Sequence, residues 1–117
     1  MKIIVGLIII CSVLILACAK DDNMDSSFVC TAENVSYTED IKPIFQSTCA
    51  LSGCHVGNFA WGNFNEYADI KFRLQFIVEN VFDLKIMPPP ETNGPKELTP
   101  KQLELLDCWI GLGAPNN

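Results

Sequence analysis

Three scarcities narrow what this chain can be. It has a single histidine, His55, and only 8 basic side chains against 14 acidic ones, a formal net charge of −6. It also lacks an apolar run of the roughly 20 residues that a membrane-spanning helix requires. With one imidazole and no carboxylate pair standing out, hydrolytic chemistry has no general base to draw on once His55 is otherwise engaged. The acidic balance argues against a nucleic-acid partner, which would meet a basic face; it suits solubility and a basic protein partner. Sustained strand alternation and internal repeats are absent as well. With 117 residues, the expectation is one domain of all-α class.

The N-terminus carries most of the apolar content. Met1-Lys2 precedes the run Ile3 to Ala17, which stops at Leu14-Ile15-Leu16-Ala17-Cys18: a basic start, a short apolar stretch and a small residue before a cut, the pattern of a secretory signal. Ile15-Leu16-Ala17-Cys18 resembles a bacterial lipobox, which implies that residues 1–17 are removed and that Cys18 carries lipid. Cys11, preceded by bulky Ile10, suits that role less well. An uncleaved anchor helix is the alternative, and either reading puts the remainder outside the cytoplasm. Much of the mean hydropathy of +0.22 belongs to this segment. Residues 18–29 read as a polar tether. Within it, Lys20-Asp21-Asp22 is similar to the export signal of surface lipoproteins in the Bacteroidetes, and is equally a solvated linker. The expectation is an outer-membrane lipoprotein, periplasmic or surface-exposed, monomeric, touching the membrane through Cys18.

From Cys30 onward three helices are expected. Ile41, Ile44, Phe45 and Thr48 keep helical spacing, with Ser36 or Asp40 as cap and Pro43 forcing a start near Asp40 or a kink. Tyr67, Ile70, Leu74, Ile77, Val78 and Val81 form one apolar stripe, opened by an Asn63–Glu66 capping box. Thr99 as N-cap, Pro100 at the first helical position and Gln102 start a third helix. Leu103, Leu106, Trp109 and Ile110 are its buried face, and Gly111 or Gly113 ends it. The aromatic loop Val56 to Phe64 and the proline-rich loop Met87 to Pro95 fall between the helices, where a ligand site would be built.

The chemistry concentrates in Cys49-Ala50-Leu51-Ser52-Gly53-Cys54-His55. Two cysteines with a histidine directly after the second can hold a haem by two thioethers and one axial bond. The usual spacing is C-x-x-C-H; here four residues separate the thiols, and small Ala50, Ser52 and Gly53 let the longer loop bulge outward. Met87, ahead of Pro88-Pro89-Pro90, is the candidate second ligand, since Met24 lies in the tether; His/Met ligation raises the reduction potential over two imidazoles. Trp61 and Tyr67 can hydrogen-bond propionates or line the pocket, with plain aromatic packing the stronger reading for each.

Tyr37 to His55, then Met87-Pro88-Pro89, Leu98 and Trp109-Ile110-Gly111-Leu112-Gly113-Ala114-Pro115, resemble the first helix, attachment site, methionine loop and last helix of small monohaem cytochrome c domains. The likeness is greatest to haem-binding lipoproteins of the Bacteroidetes, and attachment loops with four intervening residues occur among multihaem cytochromes c. The resemblance implies N- and C-terminal helices packed crosswise around one covalent haem c over residues 30–117, with Cys49 and Cys54 attached and His55 and Met87 as iron ligands. It also implies a bridge between Cys30 and Cys108, and one-electron transfer with redox partner proteins rather than catalysis. Two alternatives stay open. One is a haem-free binding lipoprotein in which Cys49 and Cys54 form a small disulfide loop; the other is a haem sensor or a subunit of a larger oxidoreductase.

Overall fold

A proline three residues into an apolar helical pattern removes a backbone donor, and the chain accommodates Pro43 by changing helix type ahead of it. Described by a computed structural model over residues 28–117, the chain runs as a π-helical turn, π1 (Tyr37–Ile41), and passes directly into α1 (Lys42–Thr48), with Pro43 in the first turn of α1. The cap is Ser36 rather than Asp40. Ser36 Oγ accepts the Glu39 N–H at 3.3 Å, and Asp40 reciprocates by accepting the Ser36 N–H at 2.8 Å. The remaining first-turn donors are satisfied from the far end of the sequence. The Tyr37 N–H reaches Asn117 Oδ1 at 2.8 Å and the Thr38 N–H reaches the Asn117 main-chain oxygen at 3.0 Å.

The expected second helix is interrupted. It forms α2 (Tyr67–Phe72), α3 (Leu74–Val78) and a second π-helical turn, π2 (Glu79–Asp83), with a break at Arg73 (φ −101°, ψ 13°). The Arg73 N–H is shared between the carbonyls of Asp69 and Ile70, while its guanidinium turns out to the Ala60 carbonyl at 3.2 Å. Ile70 and Ile77 stay buried, whereas Phe72 and Phe76 face solvent. The Asn63–Glu66 capping box is not formed. The Asn63 N–H goes to the Asp69 carboxylate at 2.7 Å and Asn63 Oδ1 accepts from the Asn65 N–H, so Asp69 closes this turn in place of Glu66.

The last helix, α4 (Pro100–Gly111), follows its sequence signals. Thr99 Oγ1 accepts the Gln102 N–H and Gln102 Oε1 accepts the Thr99 N–H, a complete capping box with Pro100 at the first helical position. At its end Gly113 takes φ +85°. The Ala114 N–H bonds to the Trp109 carbonyl and the Gly113 N–H to the Ile110 carbonyl, the paired bonds of a Schellman ending. Leu106 and Trp109 are buried as expected, and Leu103 and Ile110 are half-buried.

The core lies where π1, α1 and α4 meet. Tyr37 stacks on Trp109 with centroids 5.8 Å apart, Phe45 meets Trp109 edge-on at 6.4 Å, and Ile41, Ile70 and Leu106 fill the space around them. The C-terminal segment is tied down on this core by the Trp109 indole N–H on the Pro115 carbonyl (2.9 Å) and the Tyr67 hydroxyl on the Ala114 carbonyl (2.8 Å). Cys30 and Cys108 are disulfide-bonded, joining the segment before π1 to α4. Phe28 already packs on the core, with Lys101 Nζ 3.9 Å over its ring. The all-α class holds: among the described residues there is no strand, and no helix is long and apolar enough to cross a membrane. The signal segment 1–17, the lipidation residue Cys18, the tether up to residue 27 and Met24 lie outside the described residues.

Candidate functional site

The site begins where α1 stops. Cys49 is the C-cap of α1, its N–H still bonded to the Phe45 carbonyl at 2.9 Å. The chain then turns through Leu51–Cys54, closed by the Cys54 N–H on the Leu51 carbonyl (2.9 Å), and returns so that the His55 N–H meets the Cys49 carbonyl at 3.2 Å. Gly53 makes this turn at φ +81°, a left-handed conformation that costs any residue with a Cβ. The four residues between the cysteines therefore form a closed loop based on Cys49 and His55.

Cys49 and Cys54 are both free, half-buried thiols, so the small Cys49–Cys54 disulfide of the haem-free alternative is not formed. Burial pushes the Cys49 pKa above its ordinary value, and the neighbouring Cys54 adds to this. The Thr48 hydroxyl, 3.3 Å from Cys49 Sγ, acts in the opposite direction.

His55 is held as a plate. Its ring lies on Phe64 with centroids 4.0 Å apart and planes 2° from parallel, and Phe59 meets it edge-on at 5.4 Å. The Phe64 N–H bonds to the His55 carbonyl at 2.8 Å, and Phe45 of α1 packs edge-on against Phe64 at 5.6 Å. Nδ1 is enclosed and has no hydrogen-bond partner. Burial lowers the His55 pKa, with a small further push from Arg73. Backbone groups of Trp61 and Gly62 beside the ring oppose this, at a geometry short of a hydrogen bond to Nδ1. Burial thus favours the neutral ring, the form in which imidazole binds metals.

Met87 sits elsewhere on the surface of the fold. Its N–H bonds to the Asn80 carbonyl at 3.2 Å at the end of π2, and its side chain is 39 % exposed. It lines a cavity of about 550 Å³ together with Val81, Phe82, Leu98 and Leu103; none of Cys49, Cys54 and His55 borders that cavity. A second cavity, of about 390 Å³, is lined by Leu51–Cys54 and Glu91–Gly94. The proline-rich loop thus carries Met87 at one end and rests on the cysteine loop at the other. Contact there is close: a Cβ on Gly94 would fall 2.2 Å from Leu51 Cδ1. Cys49, Cys54 and His55 are brought together, and Met87 is placed on a neighbouring cavity.

Tyr67 has the packing role expected for it, edge-on to Tyr37 at 5.0 Å. Trp61 does not: it is 69 % exposed and packs against no other ring. The residue that sequence reasoning missed is Phe64, which fixes the His55 plane; its only signal is membership of the aromatic loop, because no spacing rule links positions 55 and 64. Among the described residues no three His, Cys, Asp or Glu side chains gather as a metal site. No protein-family model, curated protein or solved structure matches the chain.

Proposed function

We propose that this chain is a monohaem c-type cytochrome with a cytochrome c-like helical arrangement, anchored at the bacterial outer membrane by lipid on Cys18, which passes single electrons between redox partner proteins. The observation that supports it best is a contrast within one chain. Cys30 and Cys108 are bonded to each other, whereas Cys49 and Cys54 remain thiols in a loop that closes directly onto a buried, stacked histidine.

The residues fit a covalently held haem. Cys49 and Cys54 are the residues that would hold such a group, each through a thioether bond from its sulfur. His55 would hold the iron, through the ring nitrogen opposite its enclosed Nδ1. Phe64 fixes the plane of the imidazole, and Phe45 transmits the position of α1 to Phe64. Met87 is the second ligand in this reading, carried on a loop that already touches the cysteine loop through Gly94 and Leu51. Bound haem would supply reversible one-electron iron chemistry, with His55 and Met87 as the residues that would hold its iron. The packing of π1 on α4 and the Cys30–Cys108 bridge support the cytochrome-like arrangement of first and last helices.

The test is spectroscopic. The full chain, expressed with a c-type maturation system, is expected to give a low-spin spectrum and to retain its colour through acid-acetone extraction. Met87→Ala is expected to turn that spectrum high-spin or otherwise shift it in both oxidation states. Colour that extracts freely would overturn the covalent reading, and an unchanged Met87→Ala spectrum would remove Met87 from the iron.

A further inference from the structure

The aromatic side chains exposed to solvent among the described residues fall in two short segments. Phe59 and Trp61 stand in the loop after His55, and Phe72 and Phe76 on α2 and α3. Ile70 and Ile77 turn inward and leave Phe72 and Phe76, four positions apart, outside. Phe72 is 82 % exposed, and Phe76 63 %. Large apolar groups gathered in solvent mark a surface that something covers.

One guanidinium joins the two segments. Arg73, the single arginine of the chain, donates to the Ala60 carbonyl at 3.2 Å, and its Cζ stands 5.4 Å from the centre of the Phe72 ring. Gly62 lies so close that a Cβ there would fall 2.7 Å from Arg73 Nε. Both chain neighbours of Trp61 therefore touch the group that Phe72 flanks, and Trp61, Arg73 and Phe72 make one surface. The only ion pair among the described residues joins Lys101 and Glu104, so the positive charge at its centre is not paired with a carboxylate there. A guanidinium has five N–H donors in a fork that suits phosphate oxygens, and Ala60 does not use them all. Tryptophan and phenylalanine around a cation are the makeup of a surface that enters the headgroup layer of a bilayer.

We infer that Trp61, Phe72 and Phe76, with Arg73 on a lipid phosphate, dock the domain onto the bilayer in which its own N-terminus is anchored. The inference rests on the anchoring part of the reading above and is independent of haem. The length of chain before the domain supports this occupant. Cys18 and Phe28 are ten positions apart, which spans at most roughly 35 Å. Phe28 already packs on the core. A domain of about 100 residues has a radius of gyration of about 13 Å, so on that length of chain any face of it can meet the lipid. The net charge of −6 disfavours an anionic bilayer elsewhere on the chain, and the unpaired Arg73 makes the aromatic face the exception.

The test uses the full chain, produced without the maturation system and reconstituted through its own N-terminus in phosphatidylethanolamine–phosphatidylglycerol vesicles carrying doxyl-labelled lipid. The chain has two tryptophans, and Trp109 is fully buried, so quenching by lipid label or by iodide reports on Trp61. On reconstitution Trp61 emission is expected to shift to shorter wavelength, to lose intensity to label placed near the headgroups, and to become protected from iodide. Phe72→Ser with Phe76→Ser is expected to return Trp61 to iodide while the chain still floats with the vesicles. Both side chains are exposed, and unchanged Trp109 emission in a Trp61→Phe background checks that the fold is kept. Trp61 that stays open to iodide in a native chain floating with the vesicles would overturn the docking surface, point to a protein partner, and leave the anchor standing. Lipid quenching that survives the double substitution would also overturn it. A chain that does not float with the vesicles would overturn anchor and surface together.

Discussion

The imidazole of His55 lies parallel to the ring of Phe64, 4.0 Å away, and Phe64 is itself set edge-on against Phe45 of α1. This sequence of contacts ties the orientation of a candidate iron ligand to the hydrophobic core. Phe64 is buried, so Phe64→Ala removes core packing as well as the stack. It is expected to cost about 3–5 kcal/mol in urea unfolding. Phe64→Leu keeps most of the volume and is expected to cost less, about 1.5 kcal/mol or below, while still freeing the His55 ring. In the haem-loaded protein, Phe64→Leu should therefore alter the ligand-field spectrum more than its stability change alone would suggest.

The Cys30–Cys108 bridge closes a separation of 78 residues. By chain entropy a loop of that length is worth on the order of 4–5 kcal/mol, a large share of the stability of a domain this small. The Cys30→Ser, Cys108→Ser double variant is expected to unfold at a much lower urea midpoint than the parent, by about that amount. Equal midpoints would mean that the bridge constrains little.

Two caps should be measurable separately. Thr99→Ala removes one half of the α4 capping box and is expected to destabilise by about 1 kcal/mol. Asn117→Ala takes the side-chain acceptor from the Tyr37 N–H and is expected to cost a similar amount, about 1 kcal/mol, because that donor is partly buried. The two positions share no direct hydrogen bond, so the double variant should give close to the sum of the two effects.

The pH dependence follows from burial of His55. Its folded pKa lies below the ordinary 6.5, so between the folded value and 6.5 the unfolded chain binds more protons. Stability of the haem-free chain then rises with pH across that window and is lost as pH falls below about 6.5. His55→Gln is expected to flatten this part of the profile, measured as the urea midpoint between about pH 7.5 and about pH 5.5. A slope that is unchanged in His55→Gln would assign the effect to other groups.

How much could be read in advance depended on whether the controlling contact was local. Thr99, Pro100 and Gln102 lie within four residues of one another, and the cap they form is the one their order predicts. The apolar stripe from Tyr67 to Val81 was equally regular, yet the helix breaks. Arg73 is drawn out to the carbonyl of Ala60, a residue 13 positions away that periodicity does not register. The cap of π1 was half legible: Ser36 is adjacent to it, but Asn117, which satisfies two of its donors, is 80 residues distant from Tyr37. At the site, the cysteine–histidine loop was evident from residue order. The partner that orients the histidine was not, because the 55–64 contact depends on how an irregular aromatic loop folds back.

The most direct measurement is the intact mass of the full chain matured with a cytochrome c assembly system, compared with its Cys49→Ser, Cys54→Ser variant. The expected result is an added mass of one haem on the native chain, stable to denaturation, and none on the variant. A native chain carrying no haem mass, or one whose added mass persists in the variant, would contradict covalent attachment at Cys49 and Cys54.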